Sequence, residues 1–312
     1  MSPSRVIVLG AGVIGLTTAV VLAEAGRPVT VVAAKFPGAT SAAAGASWGP
    51  YLVEPADQVA RWSSHSLAVF TDLATAAPGS GVRLASGTDA SRGVSTAPAW
   101  ARTLPGFRPL RTEELPAGFA RGHRYTTPLI DMPRYLRYLA KRAADAGAVL
   151  VRDTVSGLAD PAAQAESIVN CTGMGARTLA DDPTVRPIRG QHVVVANPGL
   201  IDFFEEDTGT SPDLLCIYPH RDTVVLGGTA IDGSADTAGD PAAAKAILER
   251  CIAVEPRLAG APILEHRIGL RPTRPTVRVE REGKIVHNYG HGGAGVTLSW
   301  GCAEHVRALL QT

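Results

Sequence analysis

Cysteine is scarce, charge is nearly balanced and lysine is rare. The cysteines, Cys171, Cys216, Cys251 and Cys302, are spaced by 45, 35 and 51 residues, which fits no zinc-ligand pattern and no disulfide framework. No metal site is expected, and reduced thiols in a cytoplasmic protein are. A net charge of +1 removes any general attraction to nucleic acid or to an acidic membrane surface. Arginine supplies most cations, lysine only at Lys35, Lys141, Lys245 and Lys284, and with abundant Ala, Gly and Pro this is the composition of a GC-rich bacterial gene. Internal repeats, heptads and long low-complexity tracts are missing, which excludes solenoids and coiled coils. No carboxylate occurs between Glu24 and Glu54.

What is present is core-forming material: 45% of the 312 residues are hydrophobic, enough for two domains or one large one. The organising stretch is Arg5–Ala33. Gly10, Gly12 and Gly15 follow the apolar run Val6–Leu9 and open a helical pattern that ends near Gly26, before a second strand at 28–33. The first glycine permits a tight turn, the second lets backbone approach a pyrophosphate, and the third lets helix and strand pack. The helix N-terminus then offers N–H groups and a positive dipole end. This context points to dinucleotide binding. A signal peptide or membrane span over Val6–Ala23 is disfavoured by the glycines and by Thr17, Thr18 and Glu24.

Further along, small residues at 35–47 suit a loop lying against a cofactor. Amphipathic spacing predicts helices at 57–76, 131–147 and 241–254, the second capped by Asp131 and ended by Gly147. Strands at 148–155 and 167–171 restore a βαβ rhythm and rejoin the first sheet. Antiparallel strands are predicted at 191–195, 214–218, 223–226, 263–270, 277–281 and 284–287. A glycine-rich loop and a helix close the chain at 292–310.

The second strand ends Val32-Ala33-Ala34-Lys35, where a ribose-binding acid is usual. This weakens NAD, and Lys35 suits an NADP phosphate. A second backbone-exposing turn, His287-Asn288-Tyr289-Gly290-His291-Gly292-Gly293-Ala294-Gly295-Val296-Thr297, supplies what the far end of FAD requires: N–H groups and a dipole where negative charge grows on flavin reduction. His287 and His291 are separated by glycine-rich backbone, which excludes a helical metal pair. His192 and His220 read as structural or surface residues.

Several segments carry a resemblance to the D-amino acid oxidase family, with its glycine oxidase and D-aspartate oxidase relatives. They are VIVLGAGVIGL at 6–16, AAGASWGPY at 43–51, YTTPLIDMPRYLRYL at 125–139, IVNCTGMGARTL at 168–179, RPIRGQ at 186–191, VVLGGTA at 224–230, GLRPTRP at 269–275 and HNYGHGGAGVTLSWGCA at 287–303. The resemblance implies an α/β protein. A Rossmann-like FAD-binding domain would comprise 1–50, 126–185 and 265–312, and a mainly antiparallel substrate domain 51–125 and 186–264. It implies hydride transfer from Cα of a D-amino acid to flavin N5, with O2 as acceptor. Catalysis of this kind is orientation and electrostatics.

Matched by motif, Arg271 would bind the substrate carboxylate through its planar fork, with Arg267, Arg274 and Arg278 as nearby competitors. Gly293 would receive the substrate amine. FAD contacts would be Gly10, Ala11, Gly12, Val13, Ile14 and Gly15, then Lys35, Ala44, Gly45, Ala46 and Val155, and finally Gly292, Gly293, Gly295, Val296 and Thr297. Two positions depart from the pattern. Cys216 stands where the family has a substrate-binding tyrosine, and Tyr218, on the same strand face, is its candidate replacement. Gly49 replaces a bulkier polar residue and is expected to enlarge the pocket. Ala230 stands where the D-aspartate branch has arginine, which argues for neutral or basic substrates over acidic ones. Glycine, a cyclic imino acid or a biosynthetic intermediate as substrate, an NADP-dependent reductase and a non-catalytic flavin protein stay open as alternatives, as does a homodimer.

Overall fold

Strand, glycine turn, helix, strand is how the chain starts. In this computed structural model, which describes residues 5–50, 52–94, 96–206 and 214–311, Val6–Leu9 is β1, Val13–Glu24 is α1 and Val29–Ala33 is β2. Tyr51, the end of one family-like segment, lies outside the described residues. β1 and β2 pair in parallel, Val6 beside Val29. Helix α1 is apolar on nearly every side because it is covered by the sheet and by two further helices, and Leu16, Val20 and Leu22 are fully buried. Side chains of this size contribute roughly 1.5–3 kcal/mol each when removed from water.

The small-residue stretch expected as a loop holds instead one helical turn, Ala39–Ala43 (α2), and a two-residue strand, Ala46–Ser47 (β3). Alanine costs a helix least, so even a short connector folds this way. Helix α3 (Ala56–Ala76) buries Val59, Trp62, Phe70 and Leu73. Strands β4 (Val82–Ser91), β5 (Arg108–Pro109) and β6 (Arg121–Ile130) follow. Helix α4 (Met132–Asp145) has Asp131 as its cap and buries Tyr135, Leu136, Leu139 and Ala143. Strand β7 (Val149–Arg152) joins β2 in parallel; α5 (Ala159–Gln164) then leads to β8 (Ser167–Asn170), parallel to β1. The returning βαβ rhythm thus extends the first sheet.

After the short helix α6 (Ala176–Leu179) come β9 (Arg186–Ala196), β10 (Phe203–Glu206), β11 (Cys216–Pro219), β12 (Thr223–Gly227) and β13 (Ile231–Asp232). Helix α7 (Pro241–Val254), capped by Asp240, precedes β14 (Ile263–Glu282), β15 (Ile285–His291) and α8 (Gly295–Leu309).

One sheet runs β3-β6-β4-β10-β11-β12-β9-β14-β15-β8-β1-β2-β7. From β15 to β7 its pairs are parallel; toward β3 they are antiparallel apart from β10 on β4. The two strands expected around Pro272 and Pro275 are one. Residues up to Thr273 pair with β9; Thr273 and then Arg278–Glu282 pair with β15, and the irregular step between Thr273 and Arg278 holds Pro275, which has no N–H to give a ladder. β14 therefore belongs to both parts of the sheet and carries Arg271 near the junction. Helices α3 and α8 approach so closely that a Cβ on Gly301 would overlap the Trp62 backbone.

Candidate active site

The two glycine turns, far apart in sequence, meet along one cleft of about 850 Å³. Gly10 has φ +105°, and a Cβ there would lie 2.5 Å from the Cys171 carbonyl oxygen. A Cβ on Gly15 would overlap the Gly10 carbonyl, so α1 can start directly on the end of β1 only without it. A Cβ on Gly295 would touch Val13 Cγ1 at 3.8 Å, which puts the starts of α8 and α1 side by side. Neither helix has a side-chain cap or an acidic residue in its first turn. Two N-termini thus direct peptide N–H groups and positive dipole ends at the same space, which suits an anionic dinucleotide. The Val13 N–H donates to Ser41 Oγ at 3.0 Å, so this one N–H is already satisfied and the Ser41 hydroxyl stands beside the remaining N–H groups.

Gly10, Ala11, Gly12, Val13, Ile14, Lys35, Ala44, Gly45, Val155, Gly292, Gly293, Gly295, Val296 and Thr297 all line the cleft. Gly15 and Ala46 do not: Gly15 is spent on helix–strand packing, and Ala46 is buried where β3 pairs with Ile130. Asp153 was not singled out from the sequence. It follows β7, hydrogen-bonds the Ala33 carbonyl through its N–H at 3.1 Å, and lines the cleft. A carboxylate therefore does stand beside the end of β2, supplied by the neighbouring strand, where it can accept from a ribose hydroxyl.

At the other end, Arg271 separates from its competitors. Arg267 is paired with Glu265 at 2.8 Å, Arg274 with Asp182 at 2.8 Å, and Arg278 with Glu280 at 2.5 Å. Arg271 alone of the four lines the cleft. Its Nη1 donates to the Thr229 carbonyl at 3.1 Å, and its guanidinium lies over Gly190, where a Cβ would be 2.5 Å from Nη1. One residue on, the Pro272 carbonyl accepts the Gly292 N–H at 2.9 Å, so the glycine loop and the arginine are held by the same strand. His192 Nδ1 is 3.0 Å from the Ala43 carbonyl, which can only accept, so this nitrogen carries the proton. Burial, then the Arg271 charge, pushes the imidazole down to about 4, leaving it neutral. His291 is likewise pushed down to about 3 by burial; it lines the cleft, and its Nε2 has no hydrogen-bond partner among the described residues.

Cys216 and Tyr218 both line the cleft, as alternation along a strand requires. Burial holds the Cys216 thiol well above its ordinary range, so it is no nucleophile. The Tyr218 hydroxyl gives its proton to Glu205 Oε2 at 2.6 Å. In this arrangement the proton serves Glu205, not an incoming carboxylate. Tyr125 donates to Glu205 Oε1 at 2.5 Å, and Ser47 Oγ is 3.2 Å from Oε2. Gly49 also lines the cleft, but the room it leaves is taken: a Cβ there would lie 3.2 Å from the Trp100 ring. The expected enlargement is therefore filled by Trp100, which stands edge-on to Trp48 and Tyr125. Trp100 comes from a Pro- and Ser-rich loop with no pattern to mark it. Among the described residues, no group of three His, Cys, Asp or Glu could hold a metal, and no helix is long and apolar enough to cross a membrane. The four cysteines form no disulfide.

Residues 5–309 match the family described as FAD dependent oxidoreductase, DAO. The chain is 49% identical to a D-amino-acid oxidase of Rubrobacter xylanophilus, over 98% of this chain and 95% of that protein. It is 44% identical to a D-amino-acid oxidase of Streptomyces coelicolor, over 98% and 96%. A human D-aspartate oxidase is 34% identical, over 99% and 95%. Among solved structures, glycine oxidase from Geobacillus kaustophilus superposes with a TM-score of 0.81 at 20% identity, covering 99% of this chain and 95% of that one, a likeness of fold. From the paired glycine turns, the match over residues 5–309 and the relatives' identity, it follows that the chain belongs to the DAO family of FAD dependent oxidoreductases.

Proposed function

We propose that the protein catalyses the FAD-dependent oxidative deamination of D-amino acids, with neutral and basic substrates preferred over acidic ones. The observation that carries this is Arg271, the cleft-lining arginine on the strand that also anchors the Gly292 turn. FAD would supply the hydride acceptor for the Cα hydrogen and, through O2, the route to H2O2; the imino acid left behind is hydrolysed by water to the 2-oxo acid and ammonia. The chain contributes position. Arg271 grips the α-carboxylate as a fork, held over Gly190 and against the Thr229 carbonyl. Gly293, exposed at the cleft, receives the amine. Neutral His192 and His291 add no charge that would compete with Arg271 for the carboxylate.

The FAD family sets aside the NADP reading of Lys35. Cleft-lining carboxylates at Asp89, Glu205 and Glu206, together with Ala230, support rejection of acidic side chains. The same reading divides the chain into a FAD-binding part (1–50, 126–185 and 265–312), which holds the parallel strands β1, β2, β7 and β8, and a substrate part (51–125 and 186–264), which holds the antiparallel β9, β11 and β12. It includes a cytoplasmic location, supported by four thiols outside disulfides, and a homodimer, to be tested by sedimentation. The experiment is a panel of D- and L-amino acids with peroxide detection. Peroxide from D-alanine and D-methionine, with little from their L-forms or from D-aspartate, is the expected result; a silent D-series sinks the reading.

A further inference from the structure

The substrate end of the cleft holds more carboxylate than the reaction needs. Glu205 lines it, and its hydrogen-bond donors are hydroxyls: Tyr125 at 2.5 Å, Tyr218 at 2.6 Å, and Ser47, whose one proton is shared between Oε2 and the Tyr218 oxygen. Directly opposite Glu205 on the parallel partner β4 stands Asp89, a second carboxylate, with His123 Nε2 at 3.4 Å from it. The adjacent Glu206 is 3% exposed and also lines the cleft. Arg92 takes its Oε1 at 2.9 Å, but Oε2 has no hydrogen-bond partner among the described residues. Like charges directly opposite in a ladder destabilise it, and partly desolvated acids cost more still. Burial first and Asp89 second raise the pKa of Glu205, the signature of an acid short of positive charge. Arg271 supplies the opposite pole. Cys216, which pairs in register with Glu205, feels both the Glu205 and the Arg271 charges.

We propose that Glu205 is the counter-ion for a cationic substrate side chain, so that D-amino acids ending in an ammonium or guanidinium group are the preferred class. This rests on the oxidase reading and adds a specificity-determining residue to it. With the α-carboxylate on Arg271, a long cationic side chain reaches the Glu205 carboxylate and relieves its repulsion with Asp89. A neutral side chain leaves that repulsion in place, and an acidic one adds to it. The Tyr125, Tyr218 and Ser47 hydroxyls orient the carboxylate.

The test compares D-lysine with D-norleucine, which has the same chain without the ammonium group, on the FAD-loaded enzyme. Wild type is expected to favour D-lysine in kcat/KM by about tenfold or more, the scale of one ion pair in a shielded site. Glu205→Gln, which keeps the shape, is expected to shrink that ratio by about the same factor. Equal losses for both substrates would make Glu205 a structural support and overturn the proposal, as would a wild-type preference for D-norleucine. If Glu205→Gln does not fold, wild type alone decides. The expected result is that ε-aminocaproate competes more tightly than caproate; equal or weaker competition overturns the proposal. Peroxide from D-norleucine with no gain for D-lysine removes only the Glu205 role, whereas no peroxide from either removes the oxidase reading beneath it.

Discussion

The two ends of the cleft are built by different means. The flavin end is made of backbone: two glycine turns, two uncapped helix N-termini and a wall of alanines. The substrate end is made of side chains brought by separate strands, with Arg271 on β14, Glu205 on β10, Cys216 and Tyr218 on β11 and Asp89 on β4. A dinucleotide is a large, constant ligand, and peptide N–H groups suffice to hold its phosphates. A substrate side chain varies, and is read by charges whose positions depend on sheet register. The difference teaches that the same cleft can keep its cofactor while its specificity drifts.

Breaking the flavin end is expected to have the largest effect. In Gly15→Val the new side chain would overlap the Gly10 carbonyl, so α1 must leave the end of β1 and its N-terminus no longer faces the cleft. Purified protein is expected to carry almost no flavin, measured as visible absorbance per chain, and to melt at a lower temperature. Full flavin content would show that this contact does not position the turn. Arg271→Ala strikes the other end. FAD content is expected to persist while kcat/KM for D-alanine falls by about three orders of magnitude, the scale of a shielded charge pair losing a partner. Unchanged kinetics would remove Arg271 from its role, and lost flavin would mean that the two ends are not separable.

This contrast also explains what could be read from the chain alone. Helix 241–254 and the buried stripe of α4 follow from local periodicity and caps, and the glycine turns follow from spacing within one segment. The long β14 was split by two prolines because the change of strand partner that accommodates them has no local mark. Gly49 marked a missing side chain, but Trp100, which fills the gap, comes from a distant loop. Asp153 was hidden because its place beside β2 depends on a parallel pairing. Strand parity puts Tyr218 on the same face as Cys216, yet its hydroxyl is committed to Glu205, a residue that only the pairing of β10 with β11 brings near. Side-chain partners across a sheet depend on register, which a single sequence does not display.

The central claim is that one flavin lies between the two turns and that the arginine on β14 presents a D-amino acid to it. Anaerobic titration of the FAD-loaded enzyme tests this most directly. The account predicts one flavin per chain and bleaching of its visible band by D-methionine, with L-methionine leaving the spectrum unchanged. A protein that binds no FAD, or one whose flavin is reduced equally by both enantiomers, would contradict it.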